Sequence, residues 1–82
     1  MTGEGKYQAK IITALQCRGW TVIKNIRVNK NGWPDLTAYK VGYPSLFIEV
    51  KDTKGRLSPI QRYRIKELRR AGLKVRVLTK KK

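Results

Sequence analysis

Histidine is absent from the 82 residues, cysteine occurs once, as Cys17, and five acids stand against twenty lysines and arginines. Without histidine the usual general base is missing, and with it the Ser–His and Cys–His nucleophile pairs. One thiol and no imidazole cannot assemble a zinc cluster, and a lone cysteine allows no disulfide within the chain. A reducing, intracellular location follows, with the cytoplasm as the expected compartment. No apolar run approaches the length of a membrane span and no signal peptide is visible, so no membrane partner is expected. An enzyme made from such residues would draw its nucleophile from water activated by a metal ion.

Positive charge is what the chain has in excess. A formal charge of +15 and a pI near 10.6 point to a polyanionic partner, nucleic acid first. The basic residues are interleaved with apolar ones along the chain, and only Lys80-Lys81-Lys82 forms a plain basic tail. That tail reads as a solvated end that adds nonspecific phosphate attraction. The length predicts one domain, residues 1–82, with a modest core that self-association would support. A hydrophobic fraction of 40% is enough for a globular fold.

Along the chain, Tyr7, Ile11, Ala14 and Leu15 share a face at helical spacing, which predicts a helix from Gly5 to about Arg18. Thr2 would cap its start and Gly19 end it. Trp20 to Val28, rich in β-branched residues, reads as a strand. Asn29 to Gly32 is turn chemistry, and Pro34 fixes the approach to Asp35. Leu36 to Val41 and Leu46 to Lys51 read as two strands joined by a turn at Gly42–Ser45. Ser58 is a good N-cap and Pro59 fits the first helical position of a second helix, which runs to about Ala71. Val75 to Thr79 makes the last strand. The order αβββαβ predicts an α/β fold, a small mixed sheet flanked by helices.

Two of the five acids lie where chemistry would need them. Asp35 opens the second strand, and Glu49 and Lys51 fall two apart on the third, on the face that Phe47 shares, opposite Leu46, Ile48 and Val50. In so basic a chain, carboxylates weaken phosphate binding unless they do something specific. Two carboxylates, a backbone carbonyl and waters suit Mg²⁺, with positions left for phosphate. The metal would acidify bound water, and Lys51 would orient that water or stabilise the transition state. Singly, Glu49 and Lys51 also read as a surface pair and Asp35 as a turn residue.

Glu4 falls on the stripe of Tyr7, Ile11 and Leu15, where a carboxylate needs a partner, and a metal between helix and sheet would provide one. It reads equally as an acid at a helix N-terminus. Gln61 lies within the apolar side formed by Ile60, Ile65, Leu68 and Ala71, able to reach a water, a phosphate or Lys51, or else bonded to backbone at the edge of the core. The opposite side carries Arg62, Tyr63, Lys66, Arg69 and Arg70, which suits a nucleic-acid backbone as well as solvent. Lys30, Lys54 and Arg56 flank the acids as further phosphate contacts. Trp33 either stacks on a base or packs in its loop.

The segments Gly32-x-Pro34-Asp35-Leu36, Ile48-Glu49-Val50-Lys51, Gly55-Arg56-Leu57-Ser58-Pro59-x-Gln61 and Gly72-x-x-Val75-x-Val77 together resemble the VRR-NUC branch of the PD-(D/E)XK nucleases. The resemblance covers nearly the whole chain. It implies a restriction-endonuclease-like αβββαβ core and a Mg²⁺- or Mn²⁺-dependent phosphodiesterase. Asp35 and Glu49 would then be metal ligands, Val50 a main-chain carbonyl ligand and Lys51 the catalytic lysine. Glu4 would match the first-helix acid, and Gln61 the later glutamine of the catalytic group. Short stand-alone members are typically encoded by viruses or prophages and act in the bacterial host. They look like homodimers that cleave branched DNA, four-way (Holliday) junctions included. One active site per chain needs a second copy to cut two strands symmetrically. The alternatives are a nonenzymatic basic module that binds DNA or RNA by charge alone, and a flap-cutting, nonspecific, restriction-type or RNA-directed nuclease on the same core.

Overall fold

Apolar residues three and four apart wind the N-terminal segment into α1, Gly3–Cys17, in a computed structural model that describes residues 3–51 and 56–80. Side chains of this helix are described from residue 5 onward. The expected cap Thr2 and the last two lysines lie outside the described residues. Gly19, at φ +91°, turns the chain out of α1, and the Trp20 N–H closes the end on the Leu15 carbonyl at 3.0 Å.

Four strands follow among the described residues: β1 Thr21–Lys24, β2 Leu36–Tyr39, β3 Leu46–Lys51 and β4 Lys74–Thr79. The helix α2, Pro59–Arg70, lies between β3 and β4. The sheet order is β1-β2-β3-β4, with the first two pairs antiparallel and β3–β4 parallel. A parallel pair needs a crossover, and α2 supplies it. The αβββαβ order and the mixed sheet are those the sequence predicts.

Strand alternation divides the interior in two. On one face Leu36, Ile48 and Val50 are buried under Tyr7, Ile11, Ile12 and Leu15 of α1. On the other, Ile65 and Leu68 of α2 pack with Val75, Phe47, Val77, Leu57 and Trp33. The sheet is therefore covered on both sides.

Several boundaries differ from the sequence reading. β1 stops at Lys24 rather than reaching Val28, and Ile26 and Val28 are exposed. Its partner strand ends first. The Asn25 N–H still reaches the Asp35 carbonyl at 2.8 Å, but Pro34 has no N–H to extend the ladder. β2 ends at Tyr39, because the chain turns at Lys40, whose carbonyl accepts from the Tyr43 N–H, and Val41 is left in solvent. On α1, Ile12 packs inward while Ala14 is exposed. Ile60, in the first turn of α2, and Ala71, its C-cap, are exposed, and Ile65 with Leu68 carries the burial.

Leu36 has no exposed surface and lies under α1. Leu36→Ala is expected to cost about 2–5 kcal/mol, a large share of the ~5–15 kcal/mol of an ordinary domain. A urea titration reads this as a lowered midpoint at unchanged slope, and an unchanged midpoint would contradict this core.

Candidate active site

Glu49 is the buried charged residue of the described chain, 1% exposed. Strand alternation turns it, with Phe47, toward α2. Glu49 therefore lies on the α2 side of the sheet, opposite the face α1 covers. A carboxylate taken from water must be met by donors or cations. Gln61, on the first turn of α2, donates its Nε2 to Glu49 Oε1 at 3.0 Å. Lys51, two residues along the same strand, brings Nζ to 3.8 Å from that oxygen. With Glu49 buried, the exposed surface pair that the sequence also allowed is not what forms.

Gln61 is held from both ends. Its Oε1 accepts the Ser58 N–H at 2.9 Å while the Ser58 hydroxyl accepts the Gln61 N–H at 3.3 Å, a capping box with Pro59 at the first helical position. The cap that starts α2 thus also aims an amide at Glu49.

Asp35 comes from β2. The register pairs Leu36 with Ile48, so one step further Asp35 falls opposite Glu49. Its Oδ2 accepts the Val50 N–H at 2.8 Å, which pins it to the strand that carries Glu49. Among the described residues its other carboxylate oxygen takes no hydrogen bond. The loop before Asp35 is fixed by residues the sequence reading did not single out for this. Asn25 donates to the Pro34 carbonyl at 3.0 Å and bonds the Thr37 hydroxyl. Arg64 of α2 donates Nε to the Asn31 carbonyl at 3.1 Å. Gly32, at φ +74°, lies so close to α2 that a Cβ would stand 2.6 Å from the Ile60 carbonyl oxygen.

The remaining expected residues distribute as follows. Trp33 is half-buried, edge-on to Phe47 at 5.8 Å between centroids, so it packs in its loop. With Lys30, Asn25, Val28, Asn29, Thr37 and Phe47 it borders an open groove of about 450 Å³ on the Glu49 face. Arg56, Arg62, Lys66, Arg69 and Arg70 are exposed. Arg69 is partly committed, donating to the Val75 carbonyl at 2.9 Å. Glu67 interrupts the basic side of α2, bonded by Tyr63 and Arg64. Lys54 lies outside the described residues, as does the side chain of Glu4 in the first turn of α1.

The chain matches the family model of the VRR-NUC domain over residues 3–81. It belongs to the VRR-NUC domain family. A solved structure described as a VRR_NUC domain matches it with a TM-score of 0.86 at 24% identity, covering 98% of this chain and 87% of that one. At that identity the likeness is one of fold. No curated protein sequence matches the chain. VRR-NUC is a nuclease-type domain, and nucleic acid accords with the basic charge. Among the described residues no helix is long and apolar enough to cross a membrane.

In this VRR-NUC chain the oxygens on offer are of the right kind for a hard divalent cation. Mg²⁺ is commonly held by one or two carboxylates together with waters and substrate phosphates. Among the described residues no three His, Cys, Asp or Glu side chains gather. An ion at Asp35 and Glu49 would therefore complete its shell with main-chain oxygen, water and phosphate. The donor set fits.

Gly32→Ala has no room at the Ile60 backbone and no easy φ. It is expected to destabilise by about 1–3 kcal/mol and to loosen the Asp35 loop. Thermal unfolding with amide exchange at Leu36 and Val50 reads both effects, and wild-type values would show that the Gly32 contact does not set the loop.

Proposed function

We propose that this VRR-NUC domain is a Mg²⁺- or Mn²⁺-dependent endonuclease that cuts branched DNA, acting as a homodimer on four-way junctions. The observation that carries the reading is the meeting of Asp35, Glu49, Lys51 and Gln61 at one end of β3, in a chain of net charge +15. A protein that only bound phosphate would lose affinity by burying a carboxylate among its cations. A nuclease would use it.

Asp35 and Glu49, with the Val50 carbonyl, would hold the ion. When bound, the ion supplies a Lewis acid that acidifies water and neutralises phosphodiester charge. The chain's own residues do the positioning. The Val50 N–H fixes one Asp35 oxygen, and among the described residues the other takes no hydrogen bond. Gln61, locked by the capping box, fixes the Glu49 carboxylate. The Lys51 ammonium adds positive charge where the phosphoryl oxygens would gather charge in the transition state. Lys30, Arg56, Arg62, Lys66 and Arg70 would hold the strands by their phosphates, and the cytoplasm of a bacterial host is the setting such a nuclease fits. Recognition by charge and shape supports the branched substrate, since base-reading would need a dedicated element in a groove. One site per chain supports a dimer, whose twofold axis matches a symmetric junction.

Asp35→Ala and Glu49→Ala are each expected to abolish cleavage while DNA binding is kept or strengthened, because a negative charge near phosphate is removed. Cleavage of duplex, flap, single-stranded and four-way junction DNA with Mg²⁺, Mn²⁺ or EDTA tests this, with sedimentation of the free protein. Near-normal activity of Glu49→Ala in Mg²⁺, or a monomer that cuts linear duplex as well as junctions, would contradict the proposal.

Lys51→Ala is expected to slow cleavage by roughly a hundredfold or more with little change in junction affinity. Parallel cleavage and anisotropy measurements separate the two. Equal losses of rate and affinity would make Lys51 an ordinary phosphate contact.

A further inference from the structure

The end of the sheet opposite Asp35 and Glu49 carries a second concentration of aromatic and basic side chains. Leu46 opens β3 and Lys51 ends it, a separation of about 17 Å at ~3.3 Å per residue. At the Leu46 end, Trp20 and Tyr43 stand with ring centroids 5.6 Å apart and planes tilted by 52°. Tyr43 is 58% exposed. Lys40 braces the pair from one side, its Nζ 5.1 Å from the Tyr43 ring and donating to the Arg18 carbonyl at 2.6 Å. Next to the rings a hollow of about 190 Å³ is lined by Pro44, Leu46, Lys74 and Arg76. Leu46 and Arg76 also line a larger apolar groove of about 380 Å³, which runs along α1 and has Arg18 on its border.

We propose that this face binds an unpaired nucleic-acid strand, with bases on Tyr43 and Trp20 and phosphates on Arg18, Lys74 and Arg76. Three observations select that occupant. The described acids, Asp35, Glu49 and Glu67, line neither hollow. Among the described residues Arg18, Lys74 and Arg76 form no ion pair. A second copy docked here about a twofold axis would bring these cations against their own counterparts, which disfavours self-contact. A polyanion meets no such repulsion. The rings add the discrimination: a paired base has both faces already stacked, whereas an unpaired base can lie on an aromatic side chain. Arg76 and Leu78 turn toward the α1 face of the sheet, while Glu49 turns toward α2, so this surface is separate from the candidate active site. The assignment stands whether or not Asp35 and Glu49 cut DNA.

The test is fluorescence anisotropy of the whole chain with a short oligothymidylate, a short oligouridylate and a blunt DNA duplex, all without divalent metal. Tyr43→Ala is expected to weaken binding of a single strand by about fivefold to a hundredfold, the range for loss of one stacked base, and to leave the duplex affinity unchanged. Tyr43→Phe, which keeps the ring, should bind as wild type. The paired change Lys74→Ala with Arg76→Ala lies on exposed positions of β4. It should reduce the single-strand salt slope by about 1.4, from ~0.7 for each lost phosphate contact. The oligomer that binds tighter identifies DNA or RNA as the strand. Single-strand affinity that survives both Tyr43→Ala and the paired change overturns the proposal. So does an equal loss on the duplex, and so does a change of sedimentation state with single-strand affinity intact, which would assign the face to a second copy. Circular dichroism of each variant confirms that the fold is kept, and the paired change decides the matter should Tyr43→Ala fail to fold.

Discussion

A carboxylate with 1% exposure is costly in any small domain, by several kcal/mol unless its charge is answered at close range. In this chain the answer to Glu49 organises everything around it. The Gln61 amide requires the first turn of α2 at a fixed height over β3, and the capping box with Ser58 fixes that height. Lys51 follows on the same strand because alternate residues share a face. Asp35 is drawn to the same end by the β2–β3 register and by the Val50 N–H. A cluster of charges held this way resists relaxation, since Asp35 and Gln61 are anchored by backbone N–H groups and Glu49 and Lys51 by their neighbours. Such preorganisation is what a site needs if it is to stabilise charge developing on a substrate rather than follow it.

The polar anchors come from three parts of the chain. The loop ahead of Asp35 is tied to β1 and β2 through Asn25 and to α2 through Arg64, and it passes the Ile60 backbone at Gly32. The two apolar clusters press α1 and α2 against opposite faces of the sheet, so the polar end of β3 is supported by packing on both sides. With so few acids, most of the surface stays positive and available to phosphate, while the site keeps its carboxylates inside. The opposite end of the sheet is built differently, from aromatic rings and cations without an acid among the described lining residues. One small sheet thus carries two surfaces of different chemistry.

The order of elements was legible because helical spacing, β-branched runs and the Ser58-Pro59 cap are local signals. Gln61 stood out as a polar residue inside an apolar stripe, and strand alternation alone put Glu49 and Lys51 together. The extent of β1 was not legible. Ile26 and Val28 have the right side chains for a strand, but Pro34 ends the partner, and that is visible only once the register is known. The exchange of Ala14 for Ile12 on the inner face of α1 depends on how the helix is rotated over the sheet. The roles of Asn25 and Arg64 rest on bonds to residues 9 and 33 positions away, which no local pattern announces. Turn chemistry gives Gly32 one reason, and its second, the approach to Ile60, comes from tertiary packing.

The central claim is that Asp35 and Glu49 form one divalent-cation site. The most direct test is a calorimetric titration of the DNA-free protein with Mn²⁺, repeated with Mg²⁺ as competitor and with Asp35→Asn and Glu49→Gln. These variants keep side-chain size and remove one charge each. The account predicts Mn²⁺ binding to the wild-type chain that Mg²⁺ displaces and that either variant abolishes or weakens severely, with the unfolding transition of each variant retained. Mn²⁺ binding of equal strength in the wild type and both variants would contradict it.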